Sequence, residues 1–382
     1  MKLRVLCLLV ATMFVASAAG QEVRIGKEGE EGVKQTPISV SGYSGEVDSI
    51  LRFDLSVAGF KFVPNDQANY HLTGANATQV EGRLLDGTKS LLAKAYAGGT
   101  PRSEAHALAD DIVQAVFGVP GIARTKIVFK RDLGKTSEVY VSDYDGFNPV
   151  AVTADKSIVA SPTWGPGHKM LYYMSYRAVY ADIYSHDLTT GERKKFADYP
   201  GSNMSPVVSR DGRKVAFVSS KTGSPDIYIA DASGSNLQQL TKTKDAESSP
   251  TWSPDGSKIC YATDESRALY VIPSTGGAPR RLRTDGAGRP TEPDWSPDGK
   301  TIIFTSQVAA GFSLWTVPAD GSAAPTQLVT GEDASWAPNS RTVVFVRRVG
   351  GKRVLSLLDV PSKTVKSIPS NLGSCSQPCW SR

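Results

Sequence analysis

Four histidines, a few turn aspartates and, beyond Cys7 in the N-terminal apolar run, three cysteines are the groups in this chain whose types could do chemistry. His71, His106, His168 and His186 are imidazoles that a metal-dependent lyase would gather with carboxylates, yet no pair stands at metal-ligand spacing. Asp211, Asp255 and Asp298 sit in Asp-Gly turns and offer oxygens to calcium; Asp at such a place more simply bonds its own backbone. A serine peptidase needs a Gly-x-Ser-x-Gly elbow, and Gly42-Tyr43-Ser44-Gly45 is a near miss in a loop. The reading is therefore no catalytic residue, no metal and no cofactor. His106 reads as a helix residue packed against a neighbouring domain. Cys260 reads as a buried strand residue, while Cys375 and Cys379 are close enough in sequence to pair in an oxidising compartment.

These groups are positioned by a repeated sentence. Its clearest copies are Ser249-Pro250-Thr251-Trp252-Ser253-Pro254-Asp255-Gly256 and Glu292-Pro293-Asp294-Trp295-Ser296-Pro297-Asp298-Gly299. Weaker copies hold Trp164, Ser209, Trp336 and Trp380, so the key position recurs every 41–45 residues. A period of that length, with short apolar strands between turns, signals a propeller of four-stranded blades. Ser-Pro-Asp-Gly suits a type I turn, with Pro at the second place and Gly at the fourth. Five repeats are complete. The sixth is split between strands near 125–129, 138–140 and 148–152 and a first strand at 376–380. The expectation is a six-bladed propeller over 124–382, closed by its C-terminal strand, which removes an open sheet edge.

Residues 36–121 read as a separate α+β domain. Strands are expected at 37–40, 70–73, 78–85 and 90–96, with Asp86-Gly87 turning the last hairpin. One helix is expected over 46–58, capped by Ser44. A second covers 101–117, capped by Thr100, with Pro101 in its first turn. Its stripe is Ala105, Leu108, Ala109, Ile112, Val113, Val116 and Phe117, one helical face.

Ahead of this domain, Lys2 and Arg4 precede an apolar run and then Ala16-Ser17-Ala18-Ala19-Gly20, the layout of a cleaved secretory signal over 1–20. Residues 21–35 read as a flexible, charged arm. The net charge of +5 is mild and implies no nucleic-acid partner.

The chain resembles the TolB family of the periplasmic Tol–Pal system. The resemblance rests on Glu22-Val23-Arg24-Ile25 at the mature start, on Ala105-His106-Ala107-Leu108-Ala109-Asp110-Asp111-Ile112 with the following Gly118 and Thr125-Lys126-Ile127, and on the Trp-Ser-Pro-Asp-Gly repeats. It implies a non-enzymatic, monomeric periplasmic scaffold supporting outer-membrane integrity and constriction at division. It implies that the propeller binds the lipoprotein Pal, and other outer-membrane lipoproteins beside it, and that the arm Glu22, Val23, Arg24, Ile25 binds TolA. After Ile25 this chain departs from the family pattern, being richer in Gly and charge. Strands alternate in direction, so loops sort onto two faces. The family's Pal contacts precede the Pro-x-Trp strands; their counterparts are Ser202, Asn203 and Met204, Ala246, Glu247 and Ser248, Arg289, Thr291 and Glu292, and Glu332 and Asp333. Two other readings stay open at this level: a secreted propeller binding glycan or another envelope protein, and a polysaccharide lyase.

Overall fold

The computed structural model describes residues 34–308 and 311–381. The expected signal peptide and the arm residues Glu22, Val23, Arg24 and Ile25 lie outside the described residues. The described residues form one compact unit.

Its first part is a five-stranded sheet with two helices. The strands are β1 (Thr36–Ser41), β2 (Phe60–Phe62), β3 (Tyr70–Ala75), β4 (Val80–Asp86) and β5 (Lys89–Tyr96), in the order β2-β1-β3-β4-β5. Strand β2 went unread in the sequence because three residues carry too little alternation to signal a strand. Helix α1 (Gly45–Val57) buries Val47, Ile50, Leu51 and Leu55. Ser44 stands at its N-cap without a side-chain cap bond. Instead Asn76 locks Ser44 from across the fold, its carbonyl taking the Ser44 N–H and its amide donating to the Ser44 carbonyl, both at 3.1 Å. Helix α2 (Pro101–Phe117) begins in a capping box between Thr100 and Ser103 and ends at Gly118 in the left-handed conformation, where a Cβ would be costly.

The remainder is a six-bladed β-propeller. Each blade is a four-stranded antiparallel sheet whose strands run A to D outward from the axis. The blades cover 159–197, 203–239, 247–281, 289–330 and 332–367, and the sixth joins Cys375–Trp380 as strand A to Lys126–Asp132, Ser137–Asp143 and Val150–Ala151. The C-terminal strand therefore closes the ring, pairing Trp380 with Ile127 and Cys375 with Arg131. That placement also decides the open question of a Cys375–Cys379 bridge. The two cysteines are four residues apart along one strand, roughly 10–13 Å, beyond the reach of a disulfide, and Cys375 is a buried free thiol.

The repeat's turns do what their chemistry dictates. In the A–B turns, Asp211, Asp255 and Asp298 each take the hydroxyl of the serine two residues earlier at 2.6–2.7 Å and a backbone N–H two residues on at 3.1 Å. Those bonds hold the Asp255 carboxyl down at about 2, the Ser253 and Ser257 hydroxyls foremost. The tryptophans join blades. The indole N–H groups of Trp164, Trp252 and Trp336 donate to the carbonyls of Cys379, Val207 and Asp294 in the preceding blade, at 3.1–3.2 Å.

The α+β part is seated on the A–B and C–D turns of blades five and six. Asp54 of α1 takes the hydroxyl of Tyr144 and lies 2.7 Å from His106 Nδ1 of α2. Arg102 pairs with Asp145 and lies over the Phe147 ring at 3.9 Å. Arg341 pairs with Asp359 at 2.6 Å beneath Phe117. Gly59 passes so close that a Cβ there would stand 2.6 Å from Arg341 Nη2. The Arg102, Arg341 and Tyr144 contacts all fall on one side of the propeller, the turn face. The B–C and D–A loops form the opposite loop face.

Candidate functional site

Strand A of every blade carries the same distortion, and it lies along the axis. Ser161, Ser205, Ser249, Glu292, Asp333 and Gln377 all adopt φ of 49–56°, a conformation unusual for non-glycine residues. Each begins a bulge at which the A–B register shifts. The two bulged residues lie opposite one buried aromatic of strand B: Tyr173, Phe217, Tyr261, Phe304, Phe345 or Phe129. Proline, which has no N–H for the ladder, follows five of the six residues, and a bulge is where a strand tolerates it.

The long side chains of this ring stitch neighbouring blades. Glu292 Oε2 takes the N–H of Asp333 at 3.2 Å, Asp333 Oδ2 takes the N–H of Gln377 at 3.0 Å, and Gln377 Oε1 takes the N–H of Ser161 at 2.9 Å. Half the ring is thus carried by Glu, Asp and Gln and half by serine, whose hydroxymethyl group is too short to reach the next blade. Burial first, and then the charge of Asp333, pushes the Glu292 carboxyl up to about 8, so it stays protonated at neutral pH. Next to the ring, a second layer faces the turn side. Trp295 N–H donates to the Thr251 hydroxyl, Trp336 N–H to the Asp294 carboxylate and Trp380 N–H to the Ser335 hydroxyl. There a cavity of about 100 Å³ is lined by Trp164, Val207, Trp252 and Trp380. Arg210 reaches past its mouth to the Pro297 carbonyl at 2.9 Å.

The residues singled out from the sequence fall at the start of strand A, on the loop face, but their side chains divide by role. Asn203, Glu247 and Glu332 are buried. Asn203 takes the Ser219 hydroxyl and donates to the Tyr199 carbonyl. Glu247 takes the hydroxyls of Thr241 and Thr243, and burial raises its carboxyl to about 7. Glu332 lies 3.2 Å from Arg348 and 3.4 Å from Arg353. These three shape the loops from within. Glu292 and Asp333 belong to the ring. Ser202, Met204, Ala246, Ser248 and Thr291 are partly exposed, and Arg289 is exposed, 3.0 Å from Asp264. Ser161, Ser205, Ser249 and Gln377 were missed, although their signal was legible: each precedes Pro-x-Trp or its equivalent.

His71, His106, His168 and His186 are not brought together. His106 is buried against Asp54 and Tyr144, as the helix reading expects. His168 lies in a turn beside Trp164, and His186 bonds the Tyr173 hydroxyl. Among the described residues no group of three His, Cys, Asp or Glu is placed to hold a metal ion, and no helix is long and apolar enough to cross a membrane.

Fold and site together define a class, the six-bladed propellers closed by their last strand and carrying an α+β part on one face. The sequence profile of the TolB beta propeller domain matches residues 113–382, and the chain belongs to that family. It is 36% identical over 137 residues to a TolB homolog of Protochlamydia amoebophila, across 32% of this chain and 29% of that one. It is 29% identical over 231 residues to the Tol-Pal system protein TolB of Nitrosomonas europaea, across 51% and 54%. The chain spans about half the length, or less, of these curated relatives. The crystal structure of TolB from Acinetobacter baumannii superposes with a TM-score of 0.81 at 23% identity, over 91% of this chain and 97% of that one, a likeness of fold.

Proposed function

We propose that this protein is a non-enzymatic, monomeric scaffold of the Tol–Pal system, exported to the periplasm with loss of residues 1–20. In this reading the loop face of the propeller binds Pal and neighbouring outer-membrane lipoproteins. The arm Glu22-Val23-Arg24-Ile25 binds TolA, adding as a short strand to its partner. The complex supports outer-membrane integrity and constriction at division.

The observation that carries the reading is the seating of the α+β part. It covers the turns of blades five and six through Asp54–Tyr144, Arg102–Asp145 and Arg341, and the loop face is left open for a macromolecule. Gln35 donates to Thr364 on the turn face at 3.2 Å. Deleting residues 22–32 is expected to spare Pal binding and abolish TolA binding in a pull-down with both soluble domains. Unchanged TolA capture would sink the assignment of the arm.

A further inference from the structure

One sector of the loop face combines apolar exposure with exposed positive charge, in loops away from those assigned to Pal. The B–C loop of blade six presents Leu133, 45% exposed, beside Lys135. The loop leading into blade one presents Ile158, 47% exposed, beside Lys156, and the B–C loop of blade one presents Tyr176, Val179 and Tyr180, with Val179 86% exposed, beside Arg177. These loops are contiguous: Tyr176 N–H donates to the Ile158 carbonyl, and Ser137 N–H to the Ser157 carbonyl. The middle loop is held from below. Buried Glu138 takes the N–H groups of Asp155 and Lys156 at 3.0 and 2.8 Å and the Thr153 hydroxyl at 2.5 Å.

Charge decides what this sector fits. The carboxylates around it are already engaged: Asp155 by Arg193 at 2.6 Å and by the Ser175 hydroxyl, Asp132 by Lys130 at 3.0 Å and Asp182 by Lys195 at 3.0 Å. Lys135 and Lys156 are exposed, and Arg177, also exposed, adds its charge to that of Arg193 in holding the Asp155 carboxyl below its ordinary range. An exposed apolar cluster rimmed by cations marks an interaction surface, and complementary charge selects the partner and speeds encounter. We propose that Leu133, Ile158, Tyr176, Val179 and Tyr180 with Lys135, Lys156 and Arg177 form a second docking site, which takes an acidic peptide segment carrying aromatic or aliphatic anchors. The apolar cluster seats the anchors, and the cations bind the carboxylates around them. This site is independent of the Pal reading, whose loops lie in blades two to five.

Fluorescence anisotropy of the full chain tests it, with three short fluorescein-labelled peptides as probes. One is rich in Asp and Glu with two Phe, the second has Ala in place of Phe, and the third has Lys in place of the acids. The first is expected to bind. The second should bind about tenfold more weakly, and the third not at all. Val179→Asp with Tyr180→Asp, and separately Lys135→Glu with Arg177→Glu, should each weaken the first peptide about tenfold or more, and Pal titration in the same variants should be unaltered. All four positions are exposed, and unchanged circular dichroism checks folding. Failure of the first peptide to bind, equal binding by the variants, or preference for the basic peptide overturns the proposal. So does sedimentation with anionic phospholipid vesicles that the peptide cannot displace, since the sector would then be a lipid surface.

Discussion

Trp336 donates twice to Asp294, its backbone N–H to the carboxylate at 2.8 Å and its indole N–H to the carbonyl at 3.2 Å. One residue of blade four thereby positions the signature tryptophan of blade five, and the Thr251 carbinol bonds both Asp294 and the Trp295 N–H. Asp294→Ala leaves the N–H of Trp336 without that acceptor. It is expected to lower unfolding free energy by ~1–3 kcal/mol, read as a shift in guanidinium midpoint at unchanged slope. A midpoint equal to the parent's would contradict this role.

Glu292 supplies a pH dependence. Its carboxyl titrates at about 8 when folded, against 4.5 ordinarily, because it is buried and faces Asp333. The folded state therefore holds a proton that the unfolded chain has released. The contribution is fully present below pH 4.5 and is lost as pH rises through about 8. Thermal scans from pH 5 to 9 should show stability falling over this window, and Glu292→Gln, which keeps an acceptor for the Asp333 N–H, should flatten the fall. An identical pH profile in the variant would rule out Glu292 as its source.

The Asp54–His106 pair joins α1 to α2, and Asp54 reaches blade six by taking the Tyr144 hydroxyl. Both groups are buried. Burial raises the Asp54 carboxyl; burial also opposes charge on His106, but the hydrogen bond to Asp54 and the charges of Asp54 and Asp145 together outweigh it and raise the imidazole. The pair thus holds its proton to higher pH than a free imidazole does. His106→Ala would strand the Asp54 carboxylate beside Tyr144, costing ~3–5 kcal/mol and exposing the region around Tyr144 to faster amide hydrogen exchange. Exchange there as slow as in the parent would mean that the pair does not hold the interface.

Closure by the last strand makes a blunter prediction. A chain ending at Ser374 loses strand A of blade six, the Trp380 contact to Thr125 at 2.7 Å and the Gln377 bond to Ser161. It should melt well below the parent and aggregate, since both edges of the ring then stand open. Melting like the full chain would refute closure through 375–380.

The blades, their order and their closure were legible because Trp, Pro and Asp-Gly recur at one spacing, and the turns that these residues demand are local. Helix α2 was legible to its ends because Thr100, Pro101 and Gly118 signal both. Strand β2 was not, being three residues long, nor was the Asn76 lock on Ser44, which spans 32 residues. The site was half legible. Position before Pro-x-Trp places a residue at the loop-face end of strand A, but whether its side chain faces solvent depends on partners elsewhere in its blade and in the connection before it. Asn203, Glu247 and Glu332 turn inward to such partners, and the ring of left-handed residues became visible only when the six bulges lined up.

Calorimetric titration of the mature protein with the soluble domain of Pal tests the central claim most directly, run beside Arg289→Glu with Ser248→Arg. These two side chains reach solvent at the loop-face ends of blades four and three, and neither supports the ring. Saturable one-to-one binding, weakened about tenfold or more in the variant, is the expected result. Absence of binding by the parent would contradict the scaffold reading, and equal binding by the two would contradict the loop face as its seat.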